Sequence, residues 1–468
     1  MASRPFAALA FEDARIAIRE DEGKPYRRLL VESALIRSVK SGRQLLTSAR
    51  FTWKGHPVTL SMRSAFRIPR GAPLPLRVEL ASDLIEGQFE GETTLREFPE
   101  AEGEIRLTTP DITQAADWLG LPVSRALATS AGISGQVALA RDLITLTSGE
   151  VSLAGQSAQS ALTLKRGAAG ARLEGSLAFG GLDLKSLLGE QGRIERLTDG
   201  SAIQAVLETD LRLSAKTLRW GDIEAGHAAL ALTSQPQRLT AEIAELDFAG
   251  GEVRGHIALD TDGVESRASA RLSADSLDAA SLLRLAQQRD WLSGAADVNV
   301  EAEAAWVNPA EMLDRLTAKA RVNFPEGGQM RLDVPRLATS PAGETEGWGN
   351  FDFTNAAFEK LRFELTLREG QLSFANVLLA SAAGHASGRG AIDLAGRSLD
   401  WRFTFDPDGT APLPRMPIAA PGAKPLGAHL SIKGPWARPI IRSDTGSDNS
   451  MLAAPSHAAA AEFTTPAR

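Results

Sequence analysis

Histidines are the residues of this chain that could bind a metal or carry a proton at neutral pH. The chain has six of them, and no two stand at the spacing of metal ligands on one helix. His256 and His429 fall on the polar phase of apparent strands, which predicts solvated surface side chains. The sequence therefore predicts neither a metal site nor a cofactor.

Glutamates are the other residues that could do chemistry, because they crowd one short stretch. The cluster consists of Glu86, Glu90, Glu92, Glu97, Glu100, Glu102 and Glu104. Such carboxylates could bind a cation or act as an acid–base pair. However, their alternation is typical of the outer face of successive strands, where charge discourages edge-to-edge association. No EF-hand loop accompanies them.

Catalytic motifs are missing from the rest of the sequence. The chain contains no Walker A motif, no Gly-x-Gly-x-x-Gly after a strand and no Gly-x-Ser-x-Gly elbow. The segment Gly384–Gly388 misses the last of these by one position. We therefore predict that the protein is not an enzyme and has no catalytic residue.

Composition narrows the possible partners. Lys and Arg number 51 against 58 Asp and Glu, which gives a formal net charge of -7. This charge argues against nucleic acid as a partner, because phosphate binding needs a concentrated cationic surface. The chain has no cysteine, so disulfides, thiolate metal sites and cysteine catalysis are excluded. The absence of cysteine fits a bacterial periplasm and a cytosol equally.

Strands are the elements that must position these residues. Segments such as Val58–Met62, Leu76–Leu80, Leu207–Leu213 and Val298–Val300 alternate between apolar and polar residues. The 42 glycines fit a chain that turns often. The predicted fold is mainly β: an elongated open β-groove, or solenoid-like array, of short antiparallel strands with a few short helices.

The clearest alternation lies near the C-terminus. The segment Arg362–Arg368 places apolar residues on one side only, and Leu399–Phe405 does the same. A sheet with one apolar face and nothing to cover it needs an apolar partner, and lipid is one candidate. The residues predicted to face lipid are Phe363, Leu365, Leu367, Leu372, Phe374, Trp401, Phe403 and Phe405.

A loose module recurs along the chain, in which strands are followed by a short helix that begins with Asp or Pro. In the first copy, Thr109 or Asp111 can cap the helix, Pro110 suits its first turn and Gly120 ends it. The irregular spacing of the copies indicates a degenerate repeat.

Further helices are predicted in three places. Two copies of the module end in helices at Leu182–Gly189 and Asp278–Leu285. A cap, a first-turn proline and a capping-box glutamate follow one another in Asn308–Glu311. The buried stripe predicted for this last helix is Met312, Leu313 and Leu316.

Four regions are predicted. They are an N-terminal lead segment at 1–50, a degenerate β repeat region at 51–300, a C-terminal β region at 301–444 and a disordered tail at 445–468. The Pro-rich stretch 410–425 is predicted to be an extended linker. No segment of the sequence contains the run of about 18 apolar residues that a membrane-spanning helix needs. If the protein resides outside the cytoplasm, its targeting segment is missing from this sequence.

The C-terminal third resembles the C-terminal region of the AsmA family of bacterial envelope proteins. Gly388–Leu394 is similar to that family's "G-x-G-x-hydrophobic-D-L" strand, and Leu361–Gly370 resembles its penultimate hairpin. Gly434-Pro435-Trp436 with Pro439 and Asp444 resembles the terminal motif of the family. Leu313–Leu316 and Gly328–Leu337 match a further stretch, although a glycine would be usual after Leu316. Upstream, Gly87–Gly120 resembles the family's two strands and a helix that ends in Trp-Leu-Gly.

The resemblance implies a non-enzymatic protein on the periplasmic side of the inner membrane, involved in outer-membrane assembly or lipid homeostasis. Its apolar groove would hold or conduct phospholipid or another acyl lipid, and its partners would include inner-membrane and envelope proteins. The family's N-terminal membrane helix is absent from this sequence.

Roughly 20 to 25 strands spaced about 4.8 Å apart would make a sheet on the order of 100 Å long.

Two other hypotheses remain open. The chain could be a structural or interaction module in envelope biogenesis, whose strand edges pair with other proteins by β-augmentation. It could also be an enzyme on a β-solenoid, but the strands carry no paired carboxylates or aromatic platforms of the kind such grooves need.

Overall fold

The computed structural model describes residues 8–18, 27–39, 44–65, 72–94, 100–121, 123, 129–167, 170–188, 207–262, 264–285, 291–331, 343–347, 355–393, 396–407 and 428–444. Strands account for 76% of the structure and helices for 6%, and the strands form a large open antiparallel sheet. The prediction of a mainly β fold with a few short helices is confirmed. The stretch 410–425 and the tail at 445–468 lie outside the described residues.

The strands in chain order are β1 (Ala8–Ile18), β2 (Arg27–Val39), β3 (Gln44–Trp53), β4 (His56–Ala65), β5 (Leu74–Ser82), β6 (Glu86–Thr94), β7 (Glu100–Thr109), β8 (Ala131–Ala140), β9 (Leu143–Leu153), β10 (Gln156–Gly167), β11 (Gly170–Phe179), β12 (Leu182–Asp183), β13 (Glu208–Ala215), β14 (Leu218–Trp220), β15 (Ile223–Ala225), β16 (Ala228–Gln235), β17 (Arg238–Phe248), β18 (Gly251–Thr261), β19 (Ser266–Asp278), β20 (Leu292–Ser293), β21 (Ala295–Trp306), β22 (Thr317–Phe324), β23 (Gly328–Met330), β24 (Gly343–Glu346), β25 (Ala356–Phe358), β26 (Lys360–Arg368), β27 (Gln371–Ser381), β28 (Gly384–Asp393), β29 (Ser398–Pro407), β30 (Ala428–Pro435) and β31 (Ile440–Asp444). The α-helices in the described ranges are α1 (Ile112–Leu119), α2 (Leu184–Leu188) and α3 (Ala279–Leu285). A 3-10 helix covers Pro309–Glu311.

The chain divides into two compact units. Unit 1 contains residues 1–290, 294–322 and 366–369, and unit 2 contains residues 291–293, 323–365 and 370–468. Strand β26 contributes residues to both units.

In unit 1 the strands follow a meander. Each strand from β1 to β10 pairs antiparallel with the next one. The pairing of β11 with β13 is parallel. From β13 the antiparallel order continues through β16, β17, β18 and β19 to β21. Because β7, β11 and β19 therefore run in the same direction, the helices that follow them lie at the same end of the strands.

In unit 2 the antiparallel order is β27, β28, β29, β30, β31 and β24. A second, small sheet joins β23 to β20 and to β25. Segments this short carry no alternation of their own, so the sequence pattern does not predict them.

One face of the unit 1 sheet is apolar, because side chains of directly opposed residues share a face. Val78 lies opposite Phe89, and Phe89 lies opposite Ile105, across three consecutive strands. We call the face that carries these side chains the apolar face of unit 1. The opposite face carries the charged residues of the same strands.

Two glycines allow strands β6 and β7 to approach closely at one point of the sheet. Gly91 on β6 lies opposite Gly103 on β7, in phase with Phe89 and Ile105. A Cβ atom added to Gly91 would lie 2.6 Å from the Gly103 Cα atom, and one added to Gly103 would lie 2.6 Å from the Gly91 Cα atom. A larger residue at either position would therefore push the two strands apart.

Each of the three helices begins at an aspartate. The Asp111 Oδ1 atom accepts hydrogen bonds from the backbone N–H of Thr113 at 2.8 Å and of Gln114 at 3.3 Å. Asp183 and Asp278 accept corresponding backbone bonds at α2 and α3. The N-terminus of a helix leaves backbone donors unpaired, so these carboxylates stabilise it.

The capping prediction is correct for Asp111 and wrong for Pro110. Asp111 is the N-cap of α1, so Pro110 precedes the helix and does not form its first turn. Gly120 ends α1 with a left-handed backbone, φ 75°, as predicted.

The prediction of a helix after Asn308 with a buried stripe of Met312, Leu313 and Leu316 is wrong. The helical segment is three residues of 3-10 helix, and Leu313 is 71% exposed. One short turn cannot present a continuous apolar side, so Leu313 points to solvent while Met312 and Leu316 are half-buried.

Candidate functional site

Strand β29 builds the centre of the candidate site in unit 2. Its alternation places Trp401, Phe403 and Phe405 on one face, as predicted. On the neighbouring strand β30, Ile432 lies opposite Trp401 and Leu430 lies opposite Phe403. Both aliphatic side chains are fully buried.

Two glycines of β28 make room for these aromatic rings. Gly390 lies opposite Trp401, and Gly388 lies opposite Phe403. A Cβ atom at Gly390 would lie 2.4 Å from the Trp401 Cδ1 atom, which is far inside van der Waals contact. The rings therefore lie over the backbone of the neighbouring strand, and this explains the Gly-x-Gly spacing of β28.

A bulge in β27 brings a third strand into the same cluster. The register between β27 and β28 shifts between Phe374 and Val377. Asn376 takes a positive φ of 53° there, and its Nδ2 atom donates a hydrogen bond of 2.9 Å to Glu364 Oε2. The extra residue places Phe374 and Val377 on one face and leaves Leu378 exposed on the other.

The aromatic rings contact one another in a chain. The ring centroids of Phe363 and Phe374 are 6.2 Å apart, and those of Phe374 and Trp401 are also 6.2 Å apart. Trp401 and Phe403 follow at 6.4 Å, with an angle of 86° between their planes. The contacts of Trp401 with Phe374 and with Phe403 are edge-to-face, an arrangement that aromatic pairs favour.

These four rings border a pocket of about 100 Å³ in unit 2, which we call the aromatic pocket. Leu292, Leu361, Leu379 and Ala386 line it as well and are almost fully buried, so they form its floor. The atoms that face the empty space are apolar.

The predicted lipid-facing residues do not all share this pocket. Phe363, Phe374, Trp401 and Phe403 line it, whereas Leu365 and Leu372 are half-buried and do not. Phe405 lies on the same face of β29 but is 1% exposed and does not line the pocket. Leu367 is half-buried and belongs to unit 1.

Some lining residues were missed by sequence reasoning. Trp291 directly precedes the two-residue strand β20, and Leu292 begins that strand. Met330 ends the three-residue strand β23. Such short segments have no periodicity that could have revealed them. The run from Val377 to Leu379 offered a signal, but only the bulge decides which of its side chains face the pocket.

Unit 1 offers a different apolar surface. The helices cover only one end of it, where Trp118 of α1 packs with Val58, Leu84 and Ile85 in a buried cluster. The Trp118 Nε1 atom donates to the Trp53 carbonyl oxygen at 3.1 Å, which fixes α1 on the sheet. Away from that end, the side chains of the apolar face are mostly half-buried, and Ile257 is 40% exposed.

The glutamate cluster lies on the outer face, as predicted. Glu86, Glu90, Glu92, Glu100, Glu102 and Glu104 are exposed, and Glu97 lies outside the described residues. Glu90 lies opposite Glu104, and Glu92 lies opposite Glu102. Among the described residues, no group of three or more His, Asp or Glu side chains is placed to hold a metal ion.

The two histidines singled out by the sequence lie on strands. His256 is exposed, whereas His429 is half-buried and its Nδ1 atom is 3.3 Å from Thr404 Oγ1. Neither residue lines the aromatic pocket.

The clearest electrostatic effects lie at the helix caps. Hydrogen bonds from the Ser186 side chain and backbone lower the pKa of Asp183, and the Ser281 hydroxyl lowers the pKa of Asp278. Burial raises the pKa of Asp111, but hydrogen bonds from Thr113 and Gln114 outweigh it, so the pKa is lowered there too. The caps are therefore ionised at neutral pH.

Comparisons of the chain with known families, proteins and structures found no relative. The chain matches no protein-family model, no curated protein and no solved structure. None of the helices in the described part of the chain has the length and the apolar run that a membrane-spanning helix needs.

Proposed function

We propose that this chain is a non-enzymatic, AsmA-like envelope protein that holds or conducts lipid along apolar sheet surfaces. It would act on the periplasmic side of the bacterial inner membrane in outer-membrane assembly or lipid homeostasis. The observation that carries the proposal is the aromatic pocket, which gathers four predicted lipid-facing residues around an apolar space.

Energetics support lipid as the occupant. Each methylene group removed from water contributes about 0.8 kcal/mol, so a few methylenes in such a site bind without any catalytic group. A lipid would also cover the half-buried apolar side chains of unit 1, which otherwise remain partly in contact with water.

The charged face of unit 2 supports the same proposal. Arg402 Nε is 3.6 Å from Asp400 Oδ1, and Lys433 Nζ is 3.4 Å from Asp400 Oδ2. These side chains lie on the face of β29 opposite to Trp401 and Phe403. One face of the sheet therefore favours water while the other favours an apolar ligand.

The direct test is mass spectrometry of lipids that co-purify with the protein. We expect acyl lipid on the wild-type protein and much less on Phe403→Asp or Leu365→Asp. Leu378→Asp is the matched control, because Leu378 is exposed on the opposite face of β27. Wild-type protein without bound lipid, together with no saturable binding of a fluorescent fatty acid, would contradict the proposal.

A second candidate function is favoured by strand β1. Within the described residues β1 pairs only with β2, and its Leu9 and Phe11 side chains are exposed. An unpaired strand edge can bind a strand of another envelope protein by β-augmentation. An Ala10→Pro substitution that abolishes partner binding but leaves fatty-acid binding intact would support this function.

A further inference from the structure

The lining of the aromatic pocket in unit 2 runs from exposed to almost fully buried residues. Its floor residues Leu361, Leu379 and Ala386 are almost fully buried, whereas Trp291 at its border is 40% exposed. A ligand that enters at the aromatic border therefore meets side chains at the floor that are packed against the rest of unit 2.

We propose that the aromatic pocket receives the methyl-terminal end of a single acyl chain, with the polar head of the lipid outside. The inference rests on the proposed lipid-binding function and assigns the orientation of the lipid at this site.

The chemistry of the walls excludes the polar end of a lipid. The atoms that face the space are apolar, and even the Trp401 Nε1 atom is buried away from it, without an acceptor among the described residues. A carbonyl, hydroxyl or phosphate group inside would lose its hydrogen bonds to water and gain none. A methyl end has no such bonds to lose.

The pocket is small, at about 100 Å³, and three of its aromatic side chains contact one another. The methyl-terminal end of an acyl chain is the narrowest apolar part of a lipid and therefore the part best suited to a small apolar space.

Bromine-labelled fatty acids test the orientation directly, because bromine quenches tryptophan fluorescence only at short range. Hexadecanoic acid brominated at its terminal carbon is compared with the same acid brominated next to the carboxyl group. We expect the terminal bromine to quench the full-length protein several-fold more strongly, through Trp291 and Trp401.

Variants locate the quenched tryptophan. Trp291→Phe should remove a large part of the difference between the two acids. Trp220→Phe is the matched control and should leave the difference unchanged, because Trp220 lies in unit 1 and is similarly exposed, at 37%. The comparison of the two acids on the wild-type protein needs no variant, so a variant that fails to fold does not affect it.

The outcomes separate this inference from the proposed function. Equal quenching, stronger quenching by bromine near the carboxyl group, or binding in equilibrium dialysis without quenching would overturn the orientation and leave lipid binding intact. No binding of either acid in dialysis would overturn both.

Discussion

The two units differ in how the apolar face of their sheet is covered. In unit 1 the face carries mainly aliphatic residues and glycines with a few aromatic residues such as Phe89, and short helices cover one end of it. In unit 2 aromatic rings lie over glycines and enclose a small pocket. The difference indicates that aromatic rings placed over glycines turn part of an alternating sheet face into a pocket, whereas smaller side chains leave it as an open strip.

The largest expected effect tests the buried side of unit 2. Ile432→Ala removes a side chain that is 0% exposed and lies opposite Trp401. We expect the free energy of unfolding in urea to fall by about 2–5 kcal/mol. Leu378→Ala on the exposed face should change it by no more than about 0.5 kcal/mol. Equal effects of the two substitutions would show that unit 2 lacks a packed core.

A substitution at Gly390 tests the packing of rings over glycine. Gly390→Val places side-chain atoms where the Trp401 ring lies, so we expect a loss of about 1–3 kcal/mol and a changed near-UV circular dichroism spectrum. Gly180→Val is the control, because a Cβ atom at Gly180 meets no atom within 4 Å. An unchanged near-UV spectrum in Gly390→Val would contradict the described ring position.

The helix caps of unit 1 give a smaller effect with a defined pH dependence. Asp111→Ala should cost about 1 kcal/mol at neutral pH, because α1 loses its N-cap. Burial raises the pKa of Asp111, but its hydrogen bonds lower the pKa by more, so the net effect is a lowering. The ionised carboxylate therefore stabilises the folded state.

The sign of the pH effect follows from that lowering. The stabilisation is fully present above the unfolded pKa of about 3.9 and is lost as the pH falls through the lower, folded pKa. The difference in urea midpoint between wild type and Asp111→Ala should therefore shrink below that range. A difference that grows on acidification would refute the assignment of the cap.

The smallest expected effect lies on the apolar face of unit 1. Ile257→Ala, at a side chain that is 40% exposed, should change the free energy of unfolding by no more than about 0.5 kcal/mol in lipid-free protein. With bound lipid, the same substitution should lower the thermal stabilisation that the lipid provides. A substitution that costs as much as Ile432→Ala would show that this side chain belongs to a packed core.

The alternation of apolar residues was enough to predict the strands and the face of Trp401 and Phe403. Burial depth was not predictable in the same way, because Phe405 has the same phase as Trp401 and Phe403 yet is only 1% exposed. The bulge at Asn376 could not be predicted, since it depends on how β27 and β28 pair. Trp291 directly precedes strand β20, whose two residues are too few to show an alternation.

The capping residues of the helices also predicted local structure better than they predicted packing. Asp111 and Gly120 act through bonds within a few residues, so their roles were readable in the sequence. The segment after Asn308 carries equally good local signals but forms only three residues of 3-10 helix. Local capping chemistry places a helix start, whereas its length depends on an apolar surface that the helix can pack against.

The meander has a consequence for the order of folding. In unit 1 nearly every strand pairs with its neighbour in the sequence, so hairpins can add one after another as the chain leaves the ribosome. Strand β24 of unit 2 has to wait, because Arg442 of its partner strand, which bonds to Glu344, comes 98 residues later. We therefore expect this pairing to form only at the end of synthesis, and a ribosome stalled before β31 would leave β24 without this partner strand.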